Sequence, residues 1–375
     1  MYCKEKYIHK VYPNNLTKGI LSKKLTKIYP MDQMLNQANL FLLHVEDADD
    51  TGMLARSTKG EVFRPTLGEG FSSTTFTGTR HQGKYGDFTL QFELDDLPPA
   101  VREKARIELR ETPDRSREAV IALRELLKGA DDLLVPLDND PWLIRFLRPC
   151  KFYPESAFEL IKRYYAFKVK HKDMYTDLSP VKEQNIFKQN ILTVMPNRDQ
   201  DGRRMLVIEL GKKWKHNKVS LDEVFKGCVL FVEAAMLEPE TQVSGAVVIF
   251  DMDGLSLQQV WQFTPPFAKR IVDWLQDNIP VRIKGFHIVN QPYVFNMVFA
   301  LFKPFLREKL KSRIIFHGTD RNSLHQYISP KCLPVNYGGT LDMPMISGPQ
   351  WLELLLKCEE EYKGNFFPNS SSNHT

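Results

Sequence analysis

Two short stretches of this 375-residue chain carry side chains that could do chemistry. In VRIKGFHIVNQP, residues 281–292, the cations Arg282 and Lys284 stand at the mouth of an apolar, strand-like run that stops at Pro292. Cations placed there could hold a phosphorylated substrate, a nucleic acid or a lipid headgroup. Being two residues apart on an extended chain, they point the same way. In GAVVIFDMDG, residues 245–254, an apolar run ends in Asp251 and Asp253, carboxylates between which a magnesium ion could sit.

The second stretch resembles the first motif of haloacid-dehalogenase-type phosphatases. There the first aspartate attacks phosphorus and the second acts as acid and base. The surroundings argue against that chemistry here. The motif normally continues with Thr or Val, whereas this chain continues with Gly254, Leu255 and Ser256. The later strand-like runs end in Asn290-Gln291 and His317-Gly318, with Asp320 as the nearby acid, so the metal site lacks its further carboxylates. One or two strands also precede a motif that belongs near the start of its domain. Asp251 and Asp253 are therefore expected to shape the turn after a buried strand or to cap the next helix. No GxSxG, P-loop or HExxH occurs. His287 and His317 lie inside apolar runs and read as core residues. The chain is not expected to be an enzyme or to hold a cofactor or metal.

Composition narrows the partners. With 42% hydrophobic and 26% charged residues the chain has material for a large core. A net charge of +5 suits transient contact with an anionic surface better than general coating of nucleic acid. The five cysteines, at 3, 150, 228, 332 and 358, are scattered and contain no CxxC pair. Neither zinc nor a disulfide framework is indicated, and a reducing cytosol is expected. The N-terminal MYCKEKYIHK lacks an apolar run after its charges, so no signal peptide is expected. No run approaches the length of a membrane span.

Several elements must position the candidate residues. Residues 1–91, basic at first and rich in Gly, Ser and Thr over 57–86, read as a disordered extension with one brief helix at MLNQANLFLLHVED. Four amphipathic helices over 92–172 make a small all-helical lobe. From 178 the pattern changes. RRMLVIEL, GAVVIFDM, GFHIVN and SRIIFHG are short, β-branched and separated by helical segments. They predict an α/β lobe with a mostly parallel sheet buried on both faces. Residues 343–375 read as one helix and a polar tail.

PYVFNMVFALFKPF is apolar nearly all round, and Lys303, Arg307, Lys309, Lys311 and Arg313 follow at once. An all-apolar helix must be buried, sit in lipid or alternate between the two. Running into cations, it matches a surface that touches anionic membrane. Lys309 and Arg313, four apart, would share a helical face.

In order along the chain stand FLRPCKF, the Asp199–Arg204 turn, EPETQVSGAVVIFDMDG, LQDNIPVRIKGFHIVNQP, FKPFLREKLKSRIIFHG, NSLHQYI and LPVNYGGTL. Together they resemble the CRAL-TRIO lipid-binding family over residues 94–345. The resemblance implies a helical lobe followed by an α/β lobe, 178–342, enclosing a hydrophobic pocket under a movable lid helix from about Pro292 to Arg313. It implies a non-catalytic, monomeric, cytoplasmic carrier of a tocopherol-, retinoid- or lipid-like molecule. Such a carrier docks reversibly on endosomal or plasma membranes bearing phosphatidylinositol bisphosphate. The phosphoinositide positions carried over are Arg282, Lys284, Lys309 and Arg313, all basic. Where the family has a further arginine this chain has Cys150, with Lys151 adjacent. Pocket positions carried over are Phe225, Cys228, Val229, Val232, Phe250, Phe263, Ile271, Leu275, Ile279, Phe286, Phe295 and Val298. Cys228 and Val232 replace serines of a tocopherol-carrying member, which makes this pocket more apolar. A phosphoinositide-binding adaptor in membrane trafficking without cargo is the alternative, and the phosphatase a remote one.

Overall fold

The computed structural model describes residues 82–85, 88–91, 96–130 and 133–357. The expected extension over 1–81 with its brief helix, and the polar tail beyond 357, lie outside the described residues. Within the last part of that expected extension, β1 (Gln82–Tyr85) and β2 (Phe88–Gln91) pair antiparallel as a hairpin.

Four helices follow, α1 (Pro99–Leu109), α2 (Pro113–Lys128), α3 (Asp140–Leu147) and α4 (Pro154–Lys170). Each has proline in its first turn, where a missing N–H leaves no intrahelical bond unmade. The Thr112 and Asn139 side chains cap α2 and α3, accepting from the Arg115 and Trp142 amides. On α2, Ala119, Val120, Leu123 and Leu127 recur at helical spacing, and that stripe is buried with Trp142, Phe146 and Ile161 in one core cluster. Two short helices, α5 (Lys172–Tyr175) and α6 (Gln184–Lys188), lead into the sheet.

The sheet runs β3 (Leu192–Val194), β4 (Arg204–Glu209), β5 (Ala246–Asp251), β6 (Ile283–Val289), β7 (Ile314–Gly318), in that spatial order. The last four are parallel and match the expected strands. The antiparallel edge strand β3 was not anticipated, since three residues are too few to stand out as a pattern. The crossovers are α7 (Leu221–Leu237) with α8 (Pro239–Ser244), α9 (Leu257–Val260) with α10 (Pro265–Asp277), and α11 (Phe295–Phe302) with α12 (Glu308–Lys311). After β7 come α13 (Arg321–His325) and α14 (Gly348–Lys357).

Parallel neighbours in chain order, joined by right-handed crossovers, put all the connecting helices on one face. The pleat sorts the strand residues accordingly. Leu206, Ile208, Val248, Phe250, Phe286 and Ile288 belong to the cluster that holds α7 and α10. Met205, Val207, Val247, Ile249 and Val289 pack on the opposite side under Leu324, Ile328, Leu333 and Tyr337. Both faces are covered, one by long helices and the other by the short turns that follow β7.

The expected single helix over 292–313 is in pieces. Pro292 does not start it. A run of i to i+3 bonds, beginning with the Phe295 amide donating to the Pro292 carbonyl, precedes α11. A 3-10 turn at Lys303–Phe305 follows, and Leu306 and Arg307 then take extended backbone before α12 begins. Pro304 supplies the break, because it has no N–H to donate and its ring crowds the preceding turn. Arg313 lies beyond the end of α12, so it shares no helical face with Lys309.

Candidate functional site

All the expected pocket side chains belong to, or pack against, one large apolar cluster that also takes in the helical lobe. Phe225, Val229, Phe263, Ile279, Phe286, Phe295 and Val298 are buried there. Cys228, Val232, Phe250, Ile271 and Leu275 pack against them but are only partly buried. Phe250 is informative, because it sits on a central strand and faces the helices. It stacks on Phe286 with ring centroids 6.1 Å apart and is not fully buried. Leu206 on β4, Cys228 and Val232 on α7, and Ile271 and Leu275 on α10 share that partial exposure. Burial pushes the Cys228 thiol up to about 12, so it behaves there as a small neutral apolar group.

Beside this region lie the cations. Gly245, between α8 and β5, has φ of +87°, and a Cβ there would stand 2.2 Å from the Arg282 carbonyl oxygen. Glycine thus lets β6 begin hard against the end of α8. From that position the Arg282 guanidinium donates to the Val243 carbonyl and to Glu108 Oε2, the latter at 2.7 Å. Lys284 Nζ donates to the same Glu108 oxygen at 3.3 Å. The two cations do point the same way, and they converge on one atom. Arg313 donates to the Ile283 carbonyl at 2.6 Å. Lys309 is exposed on α12, and Glu108 pairs with Arg282 and Lys284 rather than with it.

The charges press on one another. Burial first, then the charge of Arg282, lowers the Lys284 pKa against the opposing pull of Glu108. Burial and Arg282 likewise lower that of Arg313. Burial pushes Glu108 up, but the Arg282 hydrogen bond and the Lys284 charge outweigh it, and its pKa is lowered.

Glu108 belongs to α1 and was not foreseen. Its helix is seated by Ala105 and Leu109, which pack with Leu97 against Val243 of α8. One turn earlier on the same face, Lys104 donates to the Asp201 carbonyl at 2.6 Å and to Ser244 Oγ at 3.3 Å. In sequence, REKARIELRE shows only an amphipathic helix. Cys150 is half-buried, with burial pushing its thiol up to about 11, and Lys151 beside it is exposed at φ of +53°.

The two aspartates have structural partners. Asp251 accepts from the Asn290 amide at 2.9 Å, the Tyr337 hydroxyl at 3.1 Å and the Asp253 backbone at 3.0 Å. Asp253 pairs with Lys212 at 2.6 Å. Asp251 does shape the turn after the strand, while the next helix is capped by Ser256 instead. His287 and His317 are buried against each other, Nδ1 to Nε2 at 3.0 Å, and His317 Nδ1 meets Ser323 Oγ at 2.8 Å.

The family model described as CRAL/TRIO domain matches residues 188–339. Alpha-tocopherol transfer protein-like of Mus musculus is 35% identical over 263 residues, 70% of this chain and 76% of that protein. Clavesin-1 of Pongo abelii is 33% identical over 276 residues, covering 72% and 77% of the two chains. Clavesin-2 of Homo sapiens is 32% identical over 278 residues, covering 74% and 84%. The chain belongs to the CRAL-TRIO family. CRAL-TRIO domains are non-catalytic lipid carriers, and this chain is a lipid-binding or transfer protein of that class. The matched segment contains Arg282, Lys284, Lys309 and Arg313. It does not contain α1 with Lys104 and Glu108.

Proposed function

We propose that this CRAL-TRIO protein carries one lipophilic molecule in the apolar region between β4–β6 and helices α7, α10 and α11. It docks reversibly on membranes bearing phosphatidylinositol bisphosphate through Arg282, Lys284, Lys309 and Arg313. The observation that carries the cargo reading is the partial exposure of Phe250, Cys228, Val232, Ile271 and Leu275 on inward-facing positions of three different elements. An apolar guest filling that space would remove their remaining surface from water at about 25 cal/mol per Å². The docking reading is supported by cations gathered at the start of β6 and β7, next to the segment from Pro292 to Arg313 that connects these strands. Phosphate oxygens suit such a cluster, since hydrogen bonds to charged groups are the strong ones.

The segment from Pro292 to Arg313 serves as the lid. It is three short pieces rather than one rod, so it can bend at Pro304 and at the extended Leu306–Arg307 pair. The half-buried Met297, Phe299 and Phe302 would trade contacts with the interior for contacts with acyl chains, and Tyr293, 76% exposed, already faces outward. That exchange leaves little net apolar surface in water, so opening at a membrane costs little. The test is mass spectrometry of the solvent extract from protein purified under native conditions. A single lipophile near one equivalent is expected. Protein that binds phosphoinositide vesicles yet yields no lipophile would instead be the cargo-free adaptor.

A further inference from the structure

Arg282 and Lys284 share one oxygen of one carboxylate, Glu108 Oε2. Their neighbours add charge of the same sign. Arg313 is close enough for Arg282 to weigh on its protonation, and Lys104 is among the charges that weigh on Lys284. Two cations thus share a single negative charge, and two more lie close to that pair. Glu108 is also the movable member. Its side chain is 35% exposed, against 16% for Arg282 and 27% for Lys284. Its helix is held by Ala105 and Leu109 on Val243, so the carboxylate can rotate outward while the backbone stays.

A phosphate monoester brings close to two charges and three acceptor oxygens, where a carboxylate brings one charge and two oxygens. We propose that α1 completes the anion site: Glu108 stands in for a phosphate on Arg282 and Lys284, and a bound inositol phosphate displaces it and engages Lys104 as a further cation. Lys104 supplies that charge from α1 itself, one turn before Glu108. Its present acceptors, a backbone carbonyl and a serine hydroxyl, are both neutral and readily exchanged. The inference rests on the docking reading above and adds to it a built-in competitor. Headgroup affinity becomes a difference between two anions competing for the same two side chains.

The test compares Glu108→Gln, Glu108→Lys, Lys104→Met and Arg282→Glu/Lys284→Glu with the parent full chain. The probes are phosphatidylcholine vesicles with and without phosphatidylinositol bisphosphate, soluble inositol trisphosphate, and inorganic phosphate. Removing the competitor is expected to tighten binding of vesicles and of the soluble headgroup by about five- to tenfold for Glu108→Gln, and further for Glu108→Lys. Lys104→Met is expected to weaken both by about three- to tenfold. A purely structural Glu108 gives the opposite sign, because loosening the cluster weakens binding. Weaker or unchanged binding in both Glu108 variants, with vesicle binding still lost in Arg282→Glu/Lys284→Glu, overturns the role of α1 and leaves docking intact. Unchanged vesicle binding in the charge-reversed pair overturns docking itself. Tightening toward inorganic phosphate alone would assign the cluster to free phosphate and overturn the headgroup.

Discussion

Lys168 of α4 and Glu233 of α7 meet at 3.1 Å with side chains 1% and 2% exposed. The Tyr164 hydroxyl links them, accepting from Lys168 at 2.5 Å and donating to Glu233 at 2.7 Å. Burial pulls the Lys168 pKa down to about 8 despite the carboxylate beside it. The contact ties α4 of the helical lobe to the first crossover helix. Truncation by Lys168→Ala strands a buried carboxylate and should cost about 3–5 kcal/mol in urea unfolding. A Lys168→Met/Glu233→Leu pair should recover most of that loss. A loss below about 1 kcal/mol in the single variant would show that the pair is no tether.

Acid should loosen the sheet through its histidines. Burial, with the charge of His317 adding to it, holds His287 down to about 3; burial holds His317 down to about 4. Both lie below the unfolded value, so the unfolded chain binds more protons throughout the interval. Stability is complete above about pH 6.5 and falls as pH drops toward 4, by about 1.4 kcal/mol per pH unit for each histidine. Thermal unfolding between pH 7 and pH 5 should show this slope, and His287→Gln/His317→Gln should flatten it. An equal slope in the variant would assign acid sensitivity elsewhere.

Filling the interior separates a hollow from a packed core. Val232→Phe places extra volume at a partly buried position of α7 in the same apolar cluster as Phe250. With room to accept the ring, the delipidated protein should keep or raise its melting temperature while the recovered lipophile falls sharply. In a fully packed core the same change would cost about 1–3 kcal/mol.

Gly245→Ala tests how the cation cluster is positioned. The new methyl would meet the Arg282 carbonyl at a backbone with φ of +87°, and backbone cannot yield as a side-chain tip can. A loss of more than about 2 kcal/mol is expected, together with weaker vesicle binding. Unimpaired binding at full stability would mean that the start of β6 tolerates displacement.

The sequence made the sheet and the long helices legible because their apolar periodicities are strong. RRMLVIEL and GAVVIFDM could be little else, and α2 carries its buried stripe at helical spacing. The three-residue strand β3 gave no pattern to read. The break at Pro304 was not legible because a run that is apolar on every side shows no change of pattern where the helix stops. Arg282 and Lys284 were recognisable from their alternation on a strand. Glu108 was not, because 174 residues separate it from Arg282 and only packing of Ala105 and Leu109 on Val243 brings them together.

The strand order has one more consequence. β7 is the last strand of the sheet, paired on one side by β6, and its Phe316 is 37% exposed. Phe299 of α11 rests on that ring with centroids 4.9 Å apart. Lifting α11 in free solution would bare an apolar sheet margin, the kind of surface that templates association with a second chain. Opening of the lid proposed above, away from a bilayer, would therefore favour self-association. Under the function proposed above, a lid that releases only where acyl chains are at hand to replace it would keep this margin covered.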